Sequence, residues 1–151
     1  MTTYGVRLAH HPDTVAATPP PHRQVLGNLL TISTDPATSG VAVVHAAGEL
    51  DISTAPRFEH EAWQAVEAGA HGLVVEMRQL SFLSVAALTV LFRLADTPHL
   101  ACRLVAATRI VFRVLEIGDP NGRLQLVDDV PIAVRQCTTA HALAVAYGYA
   151  S

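Results

Sequence analysis

The chain has 151 residues, half of them hydrophobic and 15% charged, with a formal net charge of -3. That length suits one domain rather than two, and the apolar share favours a packed core over disorder. The slight acidity argues against direct nucleic-acid binding or general affinity for anionic lipid, and no apolar run is long enough to predict a membrane span.

Residues 1–27 read as a disordered Pro-rich tail. Pro12 and the run Pro19-Pro20-Pro21 stand among Thr, Ala and His without apolar periodicity. Proline runs favour extended geometry that builds no core. No apolar stretch precedes a small-residue cleavage site, so a secretory signal is not expected. Residues 28–151 are expected to form the domain.

Leu29 to Thr34 predicts a first strand, Asp35-Pro36-Ala37-Thr38-Ser39-Gly40 a turn, and Val41 to Ala47 a second strand, together a hairpin. Ser53 or Thr54 can cap a helix that tolerates Pro56 in its first turn. Phe58, Ala62, Trp63 and Val66 lie toward one side of that helix, which ends near Gly69. Leu73-Val74-Val75 is a short buried strand. Ser84 opens a helix, Val85 to Phe92, that is apolar nearly all round. Cys102 to Ala106 is a further strand, and Thr108 caps a helix from Arg109 to Ile117, stopped by Gly118 and Pro120. Leu124 to Val127 and Pro131 to Ala146 supply a last strand and a last helix. The expected fold is therefore α/β. Its mixed sheet has about five strands, an opening hairpin and the rest largely parallel through right-handed crossovers, with about four helices.

Catalytic chemistry is hard to find. His60-Glu61 opens like a zinc-protease motif, but Gln64 stands where a second histidine is required, so His60 is read as a helix-surface residue. His10-His11 reads as a solvated pair in the tail. No phosphate-cradling glycine loop and no G-x-S-x-G elbow occurs, and Ser84 has no base that the sequence assigns. Cys102 and Cys137 fall inside predicted elements as core thiols. Two cysteines without a CxxC pair fit a reducing compartment, so a cytoplasmic location is expected. No metal site, no cofactor and no enzymatic activity are expected.

Two segments carry a resemblance. Gly48-Glu49-Leu50-Asp51 follows a β-branched strand and precedes a capped helix. Leu80-Ser81-Phe82-Leu83-Ser84-Val85-Ala86-Ala87-Leu88 joins a strand to an apolar helix. In this order and alternation, residues 29–146 resemble the STAS domain of bacterial anti-sigma factor antagonists.

That resemblance implies a STAS-like domain and a regulatory function in transcription, of the kind used in stress responses. The chain would bind a kinase-like anti-sigma factor through Glu49, Asp51, Ser53, Ser84, Val85, Ala86 and Leu88. In the family, the partner phosphorylates a serine at the helix start, within a pattern of Asp, Ser, a small residue, Gly and Leu. Here Ser84 occupies the Asp place, Val85 the Ser place, and Ala86 and Ala87 follow. Glu76 stands where an Asp or Asn often ends the preceding strand. Valine has no hydroxyl, so the family's switch cannot operate at position 85. Ser84 has two readings: a helix cap accepting an N–H bond, or a phosphoacceptor displaced by one residue. Glu49 and Asp51 fit loop bonding as well as partner contact. Two alternatives stand beside this function: an accessory subunit docked on the ATPase of an ABC-type lipid transporter, and a sensor holding a small ligand at the carboxyl ends of the strands. Homodimer formation is a further association left open by the sequence.

Overall fold

The computed structural model describes residues 22–26, 29–106 and 108–148. Among these residues the chain order is β1 (His22–Leu26), β2 (Leu30–Thr38), β3 (Val41–Leu50), α1 (Ala55–Glu67), β4 (Gly72–Leu83), α2 (Val85–Ala95), β5 (Ala101–Val105), α3 (Arg109–Gly118), β6 (Leu126–Val127) and α4 (Val130–Ala146). The strands form one sheet whose spatial order follows chain order. β1–β2 and β2–β3 are antiparallel; β3–β4, β4–β5 and β5–β6 are parallel. The expected mixed α/β sheet with four helices is present.

Most boundaries shift from expectation by no more than three residues; three differences are larger. His22–Leu26, placed by the sequence reading in the tail, is a sixth strand paired with Thr34 to Leu30. Five residues directly after three prolines show too little alternation to stand out. The remainder of the expected tail, residues 1–21, lies outside the described residues.

The hairpin turn is tighter than the six residues expected. β2 runs to Thr38 because a bulge absorbs Pro36: Asp35 faces Val43 and Thr38 faces Val41, so Pro36 and Ala37 stand opposite the single Ala42. The chain then reverses at Ser39 and Gly40, both with positive φ (55° and 78°), as a two-residue type I′ turn requires.

β4 is four times the length of the strand expected at Leu73-Val74-Val75, with 12 residues. Its parallel register with β3 shifts twice, near His45/Ala47 and Gly48/Glu49, and these irregularities let pairing continue to Leu50↔Leu83. Glu76 therefore sits in mid-strand and does not end it.

Each face of the sheet has its own core. On one face, Ile32, Val44, Leu73, Val75 and Met77 meet Phe58 and Ala62 of α1, Leu88, Leu91 and Leu94 of α2, and Val111 and Leu115 of α3. On the other, Val41, Val43, Val74 and Val105 lie beneath α4 through Ala133 and Cys137. Parallel strands buried on both faces explain the near-continuous apolar runs in β3 and β4. Each fully buried Leu or Phe contributes about 1.5–3 kcal/mol relative to exposure.

Both cysteines are buried, as core thiols should be. Burial, with the nearby Cys137 sulfur second, pushes the Cys102 thiol up to about 12, and burial raises Cys137 as well. His60 lies on the exposed side of α1. Thr108 precedes α3 but does not cap it; its hydroxyl donates instead to the Leu80 carbonyl at 3.1 Å. No helix among the described residues is long and apolar enough to cross a membrane.

Candidate functional site

The two segments singled out in the sequence meet at the carboxyl ends of β3 and β4. Glu49 pairs with Phe82 and Leu50 with Leu83. The Ser84 N–H then donates to the Leu50 carbonyl at 2.9 Å, so the start of α2 lies beside the loop that leads into α1. On its other side, β3 is crowded against the start of β2 at Gly48. Its φ is 106°, and a Cβ there would stand 2.0 Å from the Leu29 carbonyl oxygen. Ser81 closes the same corner by donating its hydroxyl to the Gly48 carbonyl at 3.1 Å.

Asp51 organises the loop. Its Oδ1 accepts the Ser53 hydroxyl at 2.7 Å, the Ser53 N–H at 2.9 Å and the Thr54 N–H at 3.0 Å. The Ser53 hydroxyl first, then these backbone N–H groups, hold the Asp51 carboxyl below its ordinary value against a desolvation cost. Thr54 occupies the position before α1 yet makes no side-chain cap. Its hydroxyl accepts from the Asp51 N–H at 2.9 Å and lies 3.1 Å from the Glu49 carbonyl. The helix start is thus fastened by Asp51, not by Ser53 or Thr54 as the cap rule predicts. The signal available was the Asp three residues ahead of Thr, which closes an Asx-type turn.

Ser84 behaves as a cap. It has extended backbone (φ -95°, ψ 170°), and its Oγ accepts the Ala87 N–H at 3.2 Å. The next residue, Val85, points outward and is 76% exposed. Ala86 is half-buried. Leu88, expected at the contact surface, is 6% exposed and belongs to the core, because one helical turn past the cap the side chain faces the sheet.

Two further exposed apolar side chains lie in the segments that meet here, and neither was expected at the contact surface. Ile52 is 78% exposed in the loop before α1, and Phe82 is 44% exposed near the end of β4. The available signal was an isoleucine between Asp and Ser in a loop, where no core can use it. The same end of the sheet thus presents Ile52, Phe82 and Val85 beside the polar groups of Asp51, Ser53 and Ser84.

The partners of Glu76, expected only as a strand-ending residue, were not foreseen. Glu76 is buried in mid-strand and holds Arg78 Nε at 2.8 Å, the Arg78 N–H at 2.9 Å, and His45 Nδ1 at 3.4 Å. Nε2 of His45 reaches Asp35 at 2.8 Å. Burial would raise the Glu76 carboxyl, but Arg78 and His45 together bring it below its ordinary value. This network ties three strands together across the sheet and lies away from the Val85 corner. Among the described residues, no group of three or more His, Cys, Asp or Glu side chains converges as metal ligands would.

A family profile described as the STAS domain matches residues 34–130. No curated protein matches the chain. Among solved structures, an anti-sigma factor antagonist from Mycobacterium paratuberculosis superposes with a TM-score of 0.66 at 21% identity, over 76% of this chain and 98% of that one. The anti-sigma factor antagonist SpoIIAA, in its unphosphorylated form, superposes with a TM-score of 0.52 at 15% identity, over 80% of this chain and 99% of that one. At these identities the likeness to the solved structures is one of fold.

Proposed function

The chain belongs to the STAS domain family, and on that premise we propose that it is an anti-sigma factor antagonist that binds a kinase-like anti-sigma factor without phosphorylation at the family's serine position. The contact surface in this reading comprises Glu49, Asp51, Ser53, Ser84, Val85 and Ala86, with Ile52 and Phe82 added. It acts by binding and not by catalysis, in the cytoplasm where sigma factors work.

The observation that carries this reading is Val85. A large aliphatic side chain left 76% exposed on the first turn of a helix has no role in the fold, and Ile52 and Phe82 add exposed apolar surface at the same end of the sheet, beside the polar groups of Asp51, Ser53 and Ser84. Protein interfaces have that anatomy. A phosphate would add about -1.5 to -2 charges and would break such a contact, but Val85 offers no oxygen to carry one. Ser84 keeps its hydroxyl on the Ala87 N–H, which favours the cap over the displaced phosphoacceptor.

The test uses the serine-kinase-like anti-sigma factors of the source organism. Each is titrated with the full chain, then incubated with it and ATP, and phosphate is mapped by intact and peptide mass spectrometry. A stable complex with one of them, and no phosphate on the chain, is the expected result. Capture by a transporter ATPase in place of any anti-sigma factor would overturn the proposal, as would stoichiometric phosphate on Ser84 that dissolves the complex.

A further inference from the structure

We propose that the groove between β5 and α4 binds a small organic oxyanion, a carboxylate or phosphate joined to an apolar body. It lies on the opposite face of the sheet from α1 and α2, and this inference is independent of the partner surface around Val85.

The groove arises from the short last strand. β6 pairs with β5 only at Leu104 and Val105, so the sheet edge beyond Arg103 has no neighbouring strand. There α4 and the sheet edge border an open groove of about 540 Å³ with Arg103 on one wall. The helix contributes Ile132, Gln136, Thr139 and Leu143, which recur at the spacing of one helical face. That face is distinct from the one α4 buries, which carries Ala133 and Cys137. Leu143 is 53% exposed along it, an apolar surface that the fold itself does not use.

Charge is what selects an occupant. Arg57, Arg78, Arg93 and Arg123 each pair with a carboxylate. Neither Arg103 nor Arg135 has an acidic partner among the described residues, and both line this one groove, whose lining carries no carboxylate; Arg109 and Arg113, also without an ion pair, line a second groove along α3 that contains Glu116. Arg103 is nevertheless held in place: Nε donates to Gln136 Oε1 at 2.9 Å and Nη1 to the Cys102 carbonyl at 3.0 Å. These neutral acceptors orient the guanidinium without discharging it. A second guanidinium from Arg135 and the Thr139 hydroxyl complete the polar end. A planar fork of this kind matches carboxylate and phosphate oxygens. A chain of net charge -3 that keeps two unpaired arginines in one groove has a local field suited to an anion. The groove volume falls within the range of roughly 300–1,000 Å³ typical of small-molecule sites, which favours a small ligand over a protein segment. Ile132 and Leu143 then receive the apolar body.

The experiment titrates the full chain with octanoate, octyl phosphate and octylamine by calorimetry at physiological salt, with the assignment checked by amide chemical shifts. Saturable binding of octanoate or of octyl phosphate, with shifts on α4 and β5, is expected, and whichever binds names the head group. Octylamine should not bind. Arg135→Gln should weaken the anion by roughly tenfold or more, the scale of one charge-assisted hydrogen bond. Leu143→Glu should abolish binding. Both positions are exposed, so unchanged melting midpoints will show that the fold is retained. The proposal is overturned if neither anion binds, if octylamine binds as well as they do, or if both variants leave the affinity unchanged.

Discussion

Leu88 fills the space that a side chain on Gly118 would need: a Cβ there would stand 2.4 Å from Leu88 Cδ1. The first half of α2 and the last residue of α3 are thus fitted to each other. Leu88→Ala should cost about 2–5 kcal/mol through lost burial and a residual cavity. Gly118→Ala should cost about 1 kcal/mol, the low end for overpacking, because the clash is with the tip of a flexible side chain. In the Leu88→Ala background the Gly118→Ala cost should vanish, since the added methyl enters vacated space. Urea denaturation of the four chains measures this cycle. A loss below about 1 kcal/mol for Leu88→Ala would place the residue at the surface and contradict the register of α2.

At the Val85 corner, fold and binding should separate. Ser84→Ala removes the cap to the Ala87 N–H and should cost about 1 kcal/mol of stability, while lowering the affinity for the anti-sigma partner only slightly, because the hydroxyl oxygen is already engaged within the helix. Val85→Asp should leave the melting midpoint nearly unchanged, because the side chain is exposed, and should reduce partner affinity at least tenfold by placing a charge on the apolar surface. Val85→Ser should fold and bind, and should create a phosphorylatable hydroxyl where the wild type has none. Equal partner affinity for Val85→Asp and wild type would remove Val85 from the interface.

Stability should fall on mild acidification because of His71. Its ring stacks on His141 of α4, with centroids 3.6 Å apart and planes 7° from parallel, and faces Gly40 of the hairpin. Desolvation first, and the neighbouring His141 second, hold the His71 imidazole below its ordinary value of 6.5. The folded state therefore resists a proton that the unfolded chain accepts. Its stabilising effect is complete above 6.5 and is lost as the pH falls through that value toward the lower folded one. Denaturation midpoints compared at about pH 7.5 and about pH 5.5 should show a drop in the wild type and a smaller one in His141→Gln. An equal drop in both would remove the pair as its source.

Truncation should reveal β1. Removing residues 1–27 deletes a strand paired along Thr34 to Leu30 and should lower the melting midpoint by several degrees, since it strips β2 of its outer partner. Removing only residues 1–21, where no apolar periodicity exists, should leave the midpoint close to that of the full chain. Identical melts for the two truncations would mean that β1 contributes nothing to stability.

The alternation of strands and helices was legible because apolar periodicity marks it. Phe58, Ala62, Leu91 and Leu94 announce buried helix faces, and Val41 to Val44 a buried strand. Ser84 was legible as a cap because the residue type and the break in pattern coincide. What escaped was set by pairing across the chain. The length of β4 depends on register shifts against β3, and no property of Leu80 to Leu83 alone says that they are strand. His22–Leu26 becomes a strand only because β2 has a free edge. Leu88 looked like a contact residue because the family motif runs through it, whereas its place one helical turn past the cap turns it toward the sheet and into the core. Glu76 was noted as a strand end, but its network gave no warning because its partners, His45 and Arg78, are assembled by the sheet.

The order of strands in space repeats the order of strands in sequence, from β1 to β6. From β2 onward, every strand docks on the one synthesised immediately before it, and none has to be threaded between two that have already joined. During translation the sheet can therefore grow by accretion at a single moving edge, each segment meeting a finished template as it emerges from the ribosome. Parallel sheets are ordinarily slow to form because their partners are distant along the chain. Here the loop to be closed is never longer than one crossover.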